Sequence, residues 1–308
     1  MLTLDEAEVE RRLAAIDLVG LMRETLIAHA QGDARAPTRA ALALPGPAWF
    51  AAMPAWVRLP REALGAKLVV AMPGNAERGL PTHRAVVVLL DPHTGAPSAW
   101  IEAEALTRER TAAVSVAATH ALARRPRGVH AIVGAGAQGT AHAAAFARAG
   151  LAESVRVWSR KEAHAEALVR MLKDRGTDAR RCASPAETVR AADVITTATA
   201  SAVPLFDDDA VADGAHVNAV GACTADRREL GGALVGTASL AVEDDAAAHA
   251  EAGDIVLAVA EGRARWDGIV TLGDVFAGRA SPRPGRCSIY VSLGLGVEDV
   301  AAAAAICV

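Results

Sequence analysis

Val129-His-Ala-Ile-Val-Gly-Ala-Gly-Ala-Gln-Gly139 is the stretch whose residue types and spacing bear most directly on chemistry. A short apolar run, 129–133, ends in Gly134-x-Gly136-x-x-Gly139, and an alanine-rich helical pattern follows over 140–149. In a chain with 26 glycines that spacing alone is also met by an ordinary turn. The strand–turn–helix context gives it a mechanism. Gly134 makes the tight turn, Gly136 lets backbone approach a pyrophosphate, and Gly139 lets the helix pack close on the strand. The helix start, with Ala137 and Gln138, then offers N–H groups and a positive dipole end to phosphates. The chemistry expected here is dinucleotide binding.

A second strand, Val155-Arg-Val-Trp158, leads into Ser159-Arg160-Lys161. A site that prefers NAD holds the ribose 2′-hydroxyl with an acidic side chain about 20 residues after the glycines. Ser159 stands there instead, followed by two cations. A carboxylate would repel a 2′-phosphate, whereas Ser159 and Arg160 can bond one. NADP(H) is therefore favoured over NAD(H), although Arg160 and Lys161 also suit a solvated helix start.

These residues need a scaffold, and 308 residues allow two domains. The hydrophobic fraction of 52% is ample for a core, but aromatics are only 3%, so Ala, Val and Leu must build it. A net charge of −4 with mixed signs points to no nucleic-acid or membrane-surface partner. No signal peptide or membrane span is recognisable. Cys182, Cys223, Cys287 and Cys307 are scattered and read as reduced thiols of a cytoplasmic protein; their spacing supports no metal site.

Residues 4–31 carry an apolar face at helical period. Pro37, Pro45, Pro47, Pro54 and Pro60 break 37–59 into short strands and turns. Strands are expected over 66–72, 85–90 and 99–101, the last two joined by the Asp91-Pro-His-Thr-Gly95 hairpin signal. Residues 102–124 form a helix of small residues that looks like a connector between domains. From 128 onward strands (129–133, 155–158, 194–198, 215–220, 238–242) alternate with helices (138–149, 161–175, 185–192, 207–212, 245–261). This rhythm implies an α/β fold with a Rossmann-type, doubly wound parallel sheet. A second, α+β domain with antiparallel strands precedes it. Ligands bind at the carboxyl ends of such strands, which places loops 134–139, 159–161, 199–204 and 221–227 at the site.

Seven ordered blocks, including Gly79-Leu-Pro-Thr-His83, Thr107-x-x-Arg110-Thr111-Ala-Ala113, Asn218-Ala-Val-Gly221, Arg228-Glu-Leu230 and Ser292-Leu-Gly-Leu-Gly296 with Glu298-Asp299, resemble the ornithine cyclodeaminase/mu-crystallin family over nearly the whole chain. The resemblance implies a homodimer. It implies a substrate-binding and dimerisation domain, 1–120 with 288–308, around an NAD(P)-binding domain, 121–287. Members act on imines of α-keto acids. By position Arg39 and Lys67 look like the pair for a substrate carboxylate, with Lys67 also the catalytic candidate and His83 a further substrate contact. On the residues alone, Arg39 is equally a loop cation and Lys67 a strand-edge lysine. Thr82, Arg110, Thr111, Thr199, Val220 and Gly221 match cofactor positions, with a buried interdomain ion pair as the alternative for Arg110. Cys223, Asp226 and Arg227 lie in a site loop.

Cyclodeaminases carry an aspartate where this chain has Cys223. Val291 likewise stands where many members have lysine. A thiol, pKa about 8.5, poorly replaces a carboxylate of about 3.9. Reducing a preformed C=N bond needs neither proton removal from a substrate amine nor expulsion of ammonia. The expectation is an NADP-dependent reductase of cyclic α-imino acids such as pyrroline-2-carboxylate or piperideine-2-carboxylate. The alternatives are an ornithine cyclodeaminase, an amino-acid dehydrogenase, or a non-catalytic nucleotide-binding protein. Asp226 keeps the cyclodeaminase alternative open if its loop bends.

Overall fold

A computed structural model describes residues 1–59 and 61–307. Pro60, one of the expected turn prolines, and Val308, the end of the expected tail, lie outside it. The chain forms two compact units, 1–110 with 294–308, and 111–293.

The first unit starts with β1 (Leu2–Leu4), α1 (Glu6–Leu13) and α2 (Leu18–Gln31). The single helix expected over 4–31 is in fact two. Asp5 caps α1 by accepting from Glu8 N–H, and Asp17 restarts the helix by accepting from Gly20 N–H. Gly32, at φ 81°, ends α2. There follow β2 (Ala34–Arg35), β3 (Ala40–Ala43), β4 (Trp49–Val57), β5 (Ala63–Ala71), β6 (His83–Leu90) and β7 (Pro97–Glu102). They form a sheet of order β1-β7-β6-β5-β4-β2 with β3 beside β4; only β1 pairs in parallel. Asp91 Oδ1 accepts from the N–H groups of His93 and Thr94, fixing the β6–β7 hairpin. Pro54, expected as a break, lies inside β4. Residues 53–55 fall between the stretches that pair with β3 and with β2, and a residue without an N–H costs least in such a gap.

Helix α3 (Glu104–Leu122) runs across the division between the units. The second unit is an eight-stranded parallel sheet, order β10-β9-β8-β11-β12-β15-β13-β14. Its strands are β8 (Gly128–Val133), β9 (Ala152–Trp158), β10 (Ala179–Arg181), β11 (Val194–Thr197), β12 (His216–Ala219), β13 (Ser239–Val242), β14 (Val270–Thr271) and β15 (Ser288–Val291). Helices α4 (Ala137–Arg148), α5 (Glu162–Asp174), α6 (Pro185–Val189), α7 (Gly232–Thr237), α8 (Asp245–Glu251), α9 (Gly253–Ala260) and α10 (Leu272–Phe276) connect them. The expected helix at 207–212 is a 3-10 turn, Asp208–Ala210. The expected helix 245–261 breaks before Gly253, where a Cβ would lie 1.9 Å from Arg227 O. The second unit also extends to residue 293, where the sequence suggested an end at 287. The reason is β15, which inserts between β12 and β13 instead of belonging to a tail.

Helix α11 (Gly296–Ile306) completes the first unit. It is apolar all round apart from Glu298 and Asp299, and Ala301, Ala302 and Ala303 are buried, the helix packing on β4, β5, β6 and α2. Gly296 admits no side chain, since a Cβ there would lie 2.9 Å from Met53 O. Among the described residues no helix is long and apolar enough to cross a membrane.

Candidate functional site

In the second unit the glycine loop divides its duties as its spacing suggests. Gly134 sits at φ 110°, and a Cβ there would come 2.4 Å from Ala198 O. A Cβ on Gly139 would lie 1.7 Å from Gly134 O, so only glycine lets α4 start this close to β8. A Cβ on Gly136 would meet nothing within 4 Å. Gly136 caps α4, and it and Ala137 are exposed, leaving an open cradle at the amino end of a twelve-residue helix. That is the shape and polarity a pyrophosphate requires. The chain runs from β8 to β9 and β10 on one side, then to β11 and β12 on the other, so β8/β11 is the switch point of the sheet. Half-buried Ser159 directly follows β9, with no carboxylate in its place. Arg160 and Lys161 are exposed and have no ion-pair partner among the described residues.

On the other side of the switch point, Thr199 and Gly221 follow the carboxyl ends of β11 and β12. A residue without an assigned role on sequence grounds joins them. Glu229, fully buried, accepts through Oε1 from both Thr199 N–H and Thr199 Oγ1 at 2.6 Å, and through Oε2 from Gly221 N–H at 2.8 Å. Burial, and then the neighbouring Asp254 carboxylate, push its pKa up to about 7. Asp254 is itself raised to about 6 by burial, while accepting from the N–H groups of Glu229 and Leu230. Val220 N–H donates to Thr197 O, continuing the ladder for one residue. In the adjoining loop Cys223 is half-buried, Asp226 is exposed, and Arg227 donates to Ala200 O at 3.0 Å.

In the first unit Lys67 is 3% exposed, on the face of β5 covered by α11. Its Nζ lies 2.6 Å from Asp299 Oδ2. Arg110 Nε donates to Asp299 Oδ1 at 2.9 Å, and Arg110 Nη1 donates to Glu298. Both carboxylates are fully buried in the first turn of α11, where the helix dipole favours them. Gly294, at φ 75°, brings backbone against the guanidinium; a Cβ there would lie 2.8 Å from its nitrogens. Burial pulls Lys67 down to about 8, Asp299 opposes that, and Arg110 and Arg39 add to it. Arg39 is thus close enough to act on Lys67 and is half-buried. Arg110, expected to contact the cofactor, is held by the acids of α11, an ion pair within the first unit rather than between domains. Glu298 and Asp299, quoted above only as part of a motif, are, like Glu229, residues that sequence reasoning left without a role. Their signal is two adjacent acids opening an otherwise apolar helix.

Thr82 and His83 lie apart from this cluster. His83 faces the same side as Lys67 but pairs with Ala71, four residues or ~13 Å along the strand. It sits edge-on to Trp49 at 6.3 Å and contacts Thr82 Oγ1 at 3.2 Å; partial desolvation lowers its pKa. Thr111 is buried in α3 next to Arg110. Among the described residues no group of three His, Cys, Asp or Glu side chains is placed to hold a metal ion.

A doubly wound parallel sheet with a glycine cradle at its switch point, in a chain whose other unit buries two cations and two acids under one helix, defines a dinucleotide-binding α/β protein of the dehydrogenase type. The chain belongs to the ornithine cyclodeaminase/mu-crystallin family, whose profile matches residues 1–307. It is 37% identical over 242 residues to the ketimine reductase mu-crystallin of Mus musculus, covering 79% of this chain and 74% of that protein. It is 32% identical over 306 residues to an alanine dehydrogenase of Archaeoglobus fulgidus, covering 98% and 92%. The structure of Thermococcus litoralis Delta(1)-pyrroline-2-carboxylate reductase in complex with NADH and L-proline superposes with a TM-score of 0.94 at 28% identity, covering 99% and 96%.

Proposed function

We propose that the protein is an NADP-dependent reductase that converts cyclic α-imino acids, such as pyrroline-2-carboxylate or piperideine-2-carboxylate, to L-amino acids. The observation that carries this reading is the buried cluster at Lys67. Lys67 and Arg110 lie against Asp299 and Glu298, and Arg39 is close enough to act on Lys67, a grouping of cations suited to a substrate carboxylate. Arg39 supplies a planar two-pronged donor and Lys67 a point charge. Gly134, Gly136 and Gly139 would hold a dinucleotide, whose nicotinamide would supply the hydride that reduces a C=N bond. Lys67, at about 8, is protonated at neutral pH yet soft enough to give a proton to the imine nitrogen, directly or through a water. Ser159, Arg160 and Lys161 hold the adenosine side and favour a 2′-phosphate.

Similarity to a ketimine reductase and to a pyrroline-2-carboxylate reductase supports the reaction class. Cys223 in place of the cyclodeaminase aspartate argues against ammonia loss. The alanine dehydrogenase likeness over 98% of the chain favours a second reading, an amino-acid dehydrogenase on the same site. The protein acts as a homodimer in this reading. The sheet face of the first unit turned away from α11 carries half-buried Leu64, Leu68, Val70, Val86 and Val88, an apolar surface that a second copy would cover. Four free cysteines fit a cytoplasmic enzyme.

The test follows loss of reduced-nicotinamide absorbance with NADPH, and NADH in parallel, on both imino acids. Turnover with NADPH is expected. Faster turnover with NADH overturns the cofactor preference but not the reaction. No turnover on either imine sinks the reductase, and alanine formation from pyruvate and ammonia would establish the second reading.

A further inference from the structure

Beyond residue 197 on β11 and residue 219 on β12 the two strands part, yet Thr199 and Gly221 remain tied. Two backbone N–H groups and one hydroxyl converge on a single carboxylate, Glu229, at 2.6, 2.6 and 2.8 Å. The loops are in closest contact there: a Cβ on Gly221 would lie 2.2 Å from Thr199 O and 2.6 Å from Glu229 Oε1. The backbone bearing Glu229 is itself anchored. Its N–H and that of Leu230 donate to Asp254 Oδ1 at 2.8 and 2.9 Å, and its carbonyl accepts from Leu205 N–H at 2.9 Å. A buried carboxylate next to a second one is costly, and a bland polar residue would serve packing as well. What a carboxylate offers uniquely is two acceptor oxygens held apart by one carbon, one for each loop.

In a doubly wound sheet the strand carrying the ribose-binding position takes the adenosine side, and the strands across the switch point take the other half of the ligand. Ser159 is on the first side; Thr199 and Gly221 are on the second. We propose that Glu229 is a positioning residue for the nicotinamide half of the dinucleotide, latching the loop after β11 to the loop after β12 through Thr199 and Gly221. This rests on the reductase reading above.

The test separates the two halves of the ligand. Binding of NADPH and NADH is compared with binding of the adenosine-half fragments 2′-phospho-ADP-ribose and ADP-ribose, in wild type, Glu229→Gln and Thr199→Val. Glutamine keeps one acceptor oxygen and turns an NH2 toward the other loop. Glu229→Gln should weaken the dinucleotide by about 10- to 100-fold, the worth of one charge-assisted hydrogen bond, with the fragment unchanged within about twofold. The same variant should lower kcat with little change in KM for the imine. Equal weakening of dinucleotide and fragment, or no weakening, overturns the assignment and leaves the reductase reading standing. Wild-type protein that binds neither dinucleotide overturns both. If Glu229→Gln fails to fold, Thr199→Val is read by the same criterion: selective loss of the dinucleotide supports the latch, and parallel or absent loss overturns it.

Discussion

Replacing Lys67 by methionine separates substrate recognition from folding. The variant keeps the length of the side chain and removes one positive charge from the cluster of Lys67, Arg39, Arg110, Glu298 and Asp299. A charge-assisted hydrogen bond to a carboxylate is worth about 1.5–3 kcal/mol. The Coulomb attraction of a unit pair ~4 Å apart near the surface sets a ceiling of about 4 kcal/mol. At about 1.4 kcal/mol per tenfold, kcat/KM should drop by about 10- to 1000-fold. Stability should hardly move. Burial lowers Lys67 from 10.5 to about 8, which corresponds to a cost of about 3 kcal/mol at neutral pH. The folded pKa lies below the unfolded one. Lys67's contribution is therefore fully present above about 10.5 and is lost as pH falls through about 8. Lys67→Met removes that cost but also removes the cation that lies 2.6 Å from buried Asp299 Oδ2, so the two effects offset, and Asp299 keeps its bond from Arg110 Nε at 2.9 Å. The assay is steady-state reduction of pyrroline-2-carboxylate and of 1-pyrroline, the same ring without the carboxylate. The loss should be large on the first and much smaller on the second. The wild-type rate should also fall as pH rises through about 8, a limb the variant lacks. Equal losses on both rings, or a wild-type rate for Lys67→Met, would refute the reasoning.

Three further outcomes are expected. Ser159→Asp should raise KM for NADPH by about 10- to 100-fold by like-charge repulsion while sparing NADH, measured with each cofactor in turn. Gly139→Ala should abolish dinucleotide binding in a titration, because its Cβ falls 1.7 Å from Gly134 O, and should destabilise the fold by about 1–3 kcal/mol. Leu68→Asp, on the outer face of the first sheet, should shift the protein from dimer to monomer in light scattering; an unchanged mass would remove that face as the interface.

Sequence reached the local parts of this protein. The Gly134–Gly139 loop needs only neighbours in the chain to explain it, since a turn, a close approach and a helix start fall within six residues. Strands β8, β9, β11, β12 and β13, and the Asp91–Gly95 hairpin, were legible for the same reason: alternation, apolar runs and turn residues act over short range. Where a local cue met a tertiary one, the tertiary one won. Pro54 reads as a break, yet it sits in the gap between β2 and β3 within an unbroken strand. Residues 245–261 read as one helix, yet Gly253 must meet Arg227 O and the helix divides.

Lys67, Arg39 and Arg110 can be picked from the sequence as cations worth attention, but their partners cannot. Arg110 and Asp299 are 189 positions apart. Their encounter depends on α11 returning to the first unit, and that is set by the burial of a whole alanine face rather than by any motif. Strand β15 shows the same limit, because parallel pairing with β12 and β13 joins segments that share no turn. Glu229 was visible only as a letter in a motif. Its position between Thr199 and Gly221, where burial raises its pKa to about 7, exists only once three separate stretches of chain are folded together. Residue type and spacing fixed which groups could do chemistry; long-range packing decided which of them are paired, how far each is stripped of water, and hence what charge each carries.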